Sequence, residues 1–400
     1  MKKNKFNKLL ANIILYLFPI LSYYGYQFVG LNQTLMKGFY FLSIPVLALY
    51  IGKTWKIKSR SPYLNKMRML ILMLAVSILM SWLIWGQPIL LGYLATAPVL
   101  AYIFFFFLVK GEFSQEELER YIWINAFIWI FLWIIAYAVA PVRLFGYIDN
   151  ELNDSRGVFR ISIPGYGAVI LAYFLAINKL IITKKKIFVF LTLLLFVFIT
   201  FRTVRQVILF SFLIGLYYLI HKIKYSWVYI IIAFCILNFG TMKIERNSLL
   251  GNLIELTENQ LESHNQGDTY IRVLEYKYFF TDYNNNPIAI LLGNGTPHHN
   301  HKYGKREQVI QESFGYFQSD VGYARIYVTI GIVGLYIVLC LFFFPLQQNV
   351  QPTLMFAKLY IIYQIFANIA ASWIWGEIIF ICISFYLLHK SWMNEKYKTS

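Results

Sequence analysis

The chain predicts an all-α polytopic membrane protein, a single integral-membrane domain over residues 1–400 with about twelve transmembrane helices and one large extracytoplasmic loop at 241–320. Three observations carry this. The sequence is 59% hydrophobic and only 14% charged. Apolar runs of about 18 residues or more recur along it, each long enough to cross a hydrocarbon core of roughly 30 Å. Those runs are continuous, as in ILLGYLATAPVLAYIFFFFLV, and do not alternate with the period of two that a membrane β-barrel requires. Against this background, 241–320 is mostly polar, and a loop of that length is uncommon unless it has a function or lacks order.

In order, the expected spans cover 9–29, 35–52, 69–86, 89–109, 121–140, 164–183, 187–201, 206–221, 226–240, 321–344, 354–371 and 374–388. The first follows MKKNKFNKLL and is read as an uncleaved span, since it is too long for the apolar core of a signal peptide and has no A-x-A site. Pro45 and Pro98 interrupt the second and fourth, which transmembrane helices tolerate when neighbours re-satisfy the backbone. Within the long loop, SLLGNLIELTENQLESH carries leucines at helical spacing and suits a helix in the membrane interface. Asp268 can cap a second helix running to about Asp282, where NNNP stops it.

An even number of spans puts both termini on one side. With the N-terminus cytoplasmic, the inside segments hold 22 of the 36 lysines and arginines, against five acids, which is the positive-inside pattern. The net charge of +17 is thus a topology signal, and it gives no reason to invoke nucleic acid. Cys235, Cys340 and Cys382 all lie in apolar runs and form neither a disulfide framework nor a metal spacing.

The candidate site residues lie on the outer side. Arg202 and Arg205 in TFRTVRQ are three apart and would share a helical face at the outer boundary. Arg156 and Arg160 precede the span at 164–183, and Arg272 lies in the loop. Guanidinium forks match phosphate and stay charged, so these five could converge on an anion such as a lipid pyrophosphate; snorkelling to the interface is the alternative. His298, His299 and His301 form a Gly/Pro/Asn-rich turn without nearby cysteines, which argues against metal and leaves a general base, a sugar-hydroxyl contact or a solvated loop. Asp320, directly before the span at 321–344, is the preferred carboxylate, with a helix cap as its other reading. Gly293 and Gly295 in LLGNG make a turn or, alternatively, a phosphate cradle.

The order of these features resembles the Wzy-type O-antigen polymerase and O-antigen ligase superfamily. The resemblance rests on Arg156 to Arg160 before a mid-chain span, Thr203 to Arg205 at a span end, Arg272 and LLGNG in the long loop, and GIVGL from Gly331 to Leu335 after re-entry. Val204 replaces the small polar residue usual in the second motif. The resemblance implies a GT-C-like fold in the cytoplasmic membrane, an active site facing the exterior, and no cofactor or metal. It implies transfer of a growing glycan from undecaprenyl pyrophosphate to a new lipid-linked repeat unit. Arg156, Arg160, Arg202 and Arg205 would hold pyrophosphate, and Arg272, His298, His299 and Asp320 would carry the chemistry. A flippase and a chain-length regulator are the implied partners. A ligase of the same superfamily, or a lipid-oligosaccharide flippase or transporter, are the competing readings.

Overall fold

The computed structural model describes residues 2–55, 61–149, 160–202, 204–222, 270–284 and 286–399. Arg156, Thr203, Asp268, the expected span at 226–240 and the expected interfacial helix at 248–264 lie outside them.

The described chain is almost wholly helical. The N-terminal half runs α1 (Lys2–Ser22), α2 (Gln33–Trp55), α3 (Pro62–Trp85), α4 (Ile89–Leu100), α5 (Phe104–Gly111) and α6 (Gln115–Ala138). A short antiparallel ribbon follows, β1 (Tyr147–Asp149) with β2 (Arg160–Ser162), in the register Tyr147↔Ser162 and Asp149↔Arg160. Then come α7 (Gly167–Thr183), α8 (Ile187–Phe201) and α9 (Arg205–Lys222). The large loop contributes α10 (Ile271–Lys277), which passes into a π-turn at Tyr278–Asp282, then α11 (Pro287–Leu292) and α12 (Lys302–Phe314). The chain ends with α13 (Gly322–Gln347), α14 (Met355–Ala367), the single turn α15 (Trp373–Gly376) and α16 (Ile378–Thr399).

Among the described residues, five helices are long and apolar enough to cross a membrane: Gln33–Gly52, Pro62–Trp85, Ile89–Gly111, Gln115–Ala138 and Gly322–Gln347. Shorter apolar helices cover Lys8–Ser22, Gly167–Thr183, Ile187–Phe201, Pro352–Ala367 and Ile378–Asn394. The Ile89–Gly111 helix runs through a tightened turn at Ala101–Ile103, just after Pro98, whose ring removes a helical donor. These helices make the chain a membrane-embedded, all-α protein.

Burial follows the bilayer logic. Large apolar side chains face outward on the peripheral helices, with Leu49 82% exposed, whereas α7 is buried on every side from Gly167 to Asn178. A helix apolar all round belongs at the centre of a bundle. It packs with α6, α8, α14 and α16.

The connections gather at two ends. At one end Lys8 pairs with Glu117 (2.8 Å), Lys179 with Glu119 (2.6 Å), and Lys390 donates to the Phe113 carbonyl (3.0 Å). At the other, the Val29 amide donates to Leu144 O (3.0 Å), Gln87 to Thr296 O (3.0 Å), and the Ser372 amide to Ser319 O (2.8 Å).

LLGNG acts as a wedge between α3 and α13, not as an open cradle. Helix α13 breaks at Gly331, whose φ of 70° and ψ of −175° lie in a region that only glycine adopts readily. The break leaves carbonyls of the preceding turn without helical donors. Asn294 N takes Val328 O (2.8 Å) and Gly295 N takes Thr329 O (3.0 Å). Irregular backbone is stable at membrane depth only when its polar groups are re-satisfied in this way.

Candidate functional site

The end of the bundle that carries α10–α12 holds a cavity of about 420 Å3. Its wall draws on Tyr23, Tyr24 and Gln27 after α1, Pro164 and Gly165 before α7, Arg202 after α8, Arg325 on α13, and Ala371 to Ile379 around α15. Among the described residues, three charged side chains line it: Arg202, Arg325 and Glu377.

Each of them stands where an apolar helix meets irregular chain. Arg202 caps the C-terminus of α8. Its guanidinium lies over the Tyr166 ring (4.3 Å) and the Trp373 ring (4.9 Å), and Nη2 donates to Ser162 Oγ (3.4 Å). Arg202 Nη1 is buried without a partner. Arg325 is in the first turn of α13, and its side chain has no hydrogen-bond or ion-pair partner among the described residues. Glu377 joins α15 to α16, is 5% exposed, and leaves Oε2 without a partner.

Unpartnered polar atoms concentrate here. Most of those found buried among the described residues lie in or just behind this wall: Oη of Tyr23, Tyr360 and Tyr363, both ends of the Gln364 amide, Asn368 Nδ2, Nε1 of Trp373 and Trp375, Glu377 Oε2 and Arg202 Nη1. Folded proteins hydrogen-bond nearly all buried polar groups, so a cluster of exceptions marks a place where a polar ligand or ordered water belongs. The rim adds backbone strain. Tyr24, Tyr26 and Gln27 all have positive φ, between 50° and 56°, a conformation that costs non-glycine residues roughly 1–2 kcal/mol each. Such strain clusters at functional sites.

Arg272 builds the wall without lining it. Its Nη1 donates to Asp320 O (2.8 Å) and to Ala370 O, and Nη2 meets Asp320 Oδ2 at 3.6 Å. Gln206 donates to the same Ala370 carbonyl (3.1 Å). Arg272 therefore ties the loop before α13 to the loop after α14, next to the start of α9. Asp320 is engaged in that tie and also accepts from Ser319 Oγ (3.2 Å).

The helix ending at Phe201 does not continue through Arg205, which begins α9. Arg202 thus closes α8 and Arg205 opens α9, and the two do not share a helical face. Neither Arg205 nor Arg160, which starts β2, lines the cavity. His298 and His299 also stand apart from it. Their rings stack at 4.5 Å, the His298 amide donates to Gln87 Oε1 (2.9 Å), and His298 Nδ1 accepts from the Asn300 amide (3.2 Å). Burial and the two neighbouring histidines lower the His298 pKa from 6.5, which favours the neutral ring. Among the described residues no group of three or more His, Cys, Asp or Glu could hold a metal ion.

Arg325 and Glu377 carry no site role in the sequence reading, yet both leave a trace. Each is an ionisable residue embedded in an apolar run, VGYARIYVTIGI and SWIWGEIIFICIS. Charge at membrane depth is costly and therefore marks function by default.

A compact cap formed by α10–α12 flanks the site. Glu307 accepts from Tyr283 Oη and from Gln318 Nε2 (2.6 Å), and Glu275 accepts from the Phe317 amide (2.8 Å). Desolvation raises both carboxyl pKa values above 4.5. A proton held more tightly in the folded than in the unfolded chain stabilises the fold at low pH, and that stabilisation is lost as pH rises past the unfolded value. The thermal midpoint of the wild type should therefore fall as pH is raised above about 4.5, and Glu307→Gln should make that fall shallower. Unfolding curves in detergent across this range test it; parallel slopes for the two proteins would refute it.

Comparison with known protein families, with curated proteins and with solved structures finds no match.

Proposed function

We propose that the protein is a membrane glycosyltransferase of the surface-polysaccharide polymerase type. It transfers a growing glycan from undecaprenyl pyrophosphate to a lipid-linked repeat unit on the outer face of the cytoplasmic membrane, with both termini in the cytoplasm. The observation that carries this reading is the cavity lined by Arg202 and Arg325, with the unpartnered hydroxyl of Tyr23 and indole groups of Trp373 and Trp375 in its wall. Two arginines at the membrane boundary suit a pyrophosphate, since guanidinium forks stay charged and pair with phosphate oxygens. The neutral donors and acceptors suit sugar hydroxyls, and Trp373 and Trp375 offer apolar faces to sugar rings.

A second feature supports a lipid-borne substrate. A groove of about 400 Å3 between α13 and α14 is lined by apolar residues, including Leu335, Leu339, Phe343, Ile362 and Phe366. It extends to Ile369, whose carbonyl accepts from Tyr276 Oη in the same cap as Arg272. An isoprenoid chain seated there would bring its pyrophosphate towards the arginine end of the bundle.

In this role Arg202 and Arg325 neutralise charge that grows on the departing pyrophosphate. That lowers the barrier because the interaction is stronger in the transition state than in the ground state. Arg272 holds the cavity wall in place.

Purified protein in lipid nanodiscs, supplied with lipid-linked repeat units, should give a ladder of glycan lengths and release undecaprenyl pyrophosphate. A single discrete shift of product would move the reading to a ligase. No change in the lipid-linked glycan would overturn it.

A further inference from the structure

The geometry points to Glu377 as the general base that accepts the proton of the acceptor sugar hydroxyl. This rests on the polymerase reading and adds the residue that activates its nucleophile. Glu377 is the one carboxylate among the described residues lining the cavity. It is almost fully buried, and its Oε2 has no hydrogen-bond partner, so the lone pairs needed to take a proton are free. Burial of a carboxylate is costly; the Gly167 amide and the Arg202 charge offset part of that cost, while Oε2 keeps no hydrogen-bond partner among the described residues.

The surroundings suit the role. The Gly167 amide, at the N-terminus of α7, lies beside the carboxyl, as does Tyr360: a methyl built on Gly167 would come within 2.7 Å of Glu377 Oε2 and 2.6 Å of Tyr360 Oη. Glu377 has no room to retreat in that direction and is held at the cavity wall. Tyr23, Tyr166, Tyr360, Tyr363 and Arg202 are the titratable groups facing it, from just after α1, just before α7, on α14 and just after α8. Among the described residues Arg202 and Glu377 do not close into a direct ion pair, which leaves space between a cation and a base. A sugar pyrophosphate with its phosphates at the arginines and its anomeric carbon towards Glu377 would fill that space.

The other candidates are occupied or displaced. Asp320 is bound by Arg272 and Ser319, and His298 and His299 do not line the cavity.

The step balances. Glu377 takes the proton as the hydroxyl oxygen bonds to the anomeric carbon. The bond from that carbon to the phosphate oxygen breaks, and its electron pair leaves with the lipid pyrophosphate, beside Arg202 and Arg325. The proton then passes from the carboxyl to water.

The test is steady-state polymerisation by the wild type, Glu377→Gln and Glu377→Asp in nanodiscs, with kcat and KM measured against pH. Size-exclusion profiles confirm that each variant folds. A general base contributes about 10²–10⁴-fold, so Glu377→Gln should lower kcat by that factor with KM changed less than about threefold. The wild type should show an acid limb in kcat that Glu377→Gln loses and Glu377→Asp retains at lower rate. Tyrosine hydroxyls ordinarily titrate near pH 10, so that limb belongs to the carboxylate. Glu377→Gln activity within about threefold of wild type, or a loss confined to KM with the acid limb intact, would overturn the assignment while leaving the polymerase reading standing. A wild type that forms no glycan overturns the polymerase reading and this one with it.

Discussion

Replacing Arg325 by alanine is expected to reduce polymerisation by about 10²–10³-fold, as loss of a preorganised donor to a developing anion does in other active sites. The Arg325 side chain has no partner among the described residues and lines the cavity beside Arg202 and Glu377. Its removal therefore breaks no internal bond, and the fold should survive. Arg325→Lys keeps the charge but not the planar fork, and should recover only part of the loss. Arg202→Ala should give a comparable decrease with an added cost in stability. Arg202 also lies over Tyr166 and Trp373 and bonds Ser162, so its loss undoes packing as well as charge. The measurement is the initial rate of ladder formation with the unfolding midpoint of each variant. An Arg325→Ala protein with wild-type rates would remove the arginine pair from the mechanism.

Gly331→Ala is expected to produce a large loss of stability. A methyl built there would lie 2.2 Å from Leu291 O, and the φ of +70° is unfavourable for any L-residue. Gly293→Ala is its mirror. At φ +84° the added methyl would lie 2.2 Å from Thr329 O. The two glycines face each other's backbone, so neither strand can withdraw without losing the Asn294 N–Val328 O and Gly295 N–Thr329 O bonds. Backbone strain alone costs roughly 1–3 kcal/mol, and loss of buried hydrogen bonds adds to it, giving about 4 kcal/mol or more. Gly315→Ala is the control. It too has a positive φ, of 67°, but a methyl there meets nothing within 4 Å, so its cost should stay near 1–2 kcal/mol. Thermal unfolding in detergent compares the three. Equal losses at Gly331 and Gly315 would show that the wedge contributes no stability. Because the wedge also sets where α13 breaks, a folded Gly331→Ala protein should polymerise poorly even below its unfolding midpoint.

The HHNH turn attracts attention in sequence because three histidines stand close together, and titratable groups suggest chemistry. In the fold, His301 accepts from the Tyr303 amide and caps α12, while the His298 amide ties the turn to Gln87 after α3. The arginine of the large loop differs from the histidines in kind. Its fork spans two loops and so sets the position of Ser319 and Ala371, which line the cavity, from outside it.

What the sequence determined by itself is the membrane-helical class and the punctuation of most of the described helices. Burial in a bilayer needs long apolar runs, and such runs are visible without coordinates; α8 falls at Ile187–Phe201, where its run begins and ends. Arg202 was legible for the same reason, as a charge closing an apolar helix. Only the tertiary structure decided that Arg202 shares a cavity with Arg325 and Glu377, more than a hundred residues away, and that Arg205 belongs to another helix. Spacing along a chain fixes neighbours only inside one continuous helix. Where the chain turns, as between α8 and α9, or breaks, as at Gly331, contact depends on how whole helices pack, and that depends on the shapes of both partners.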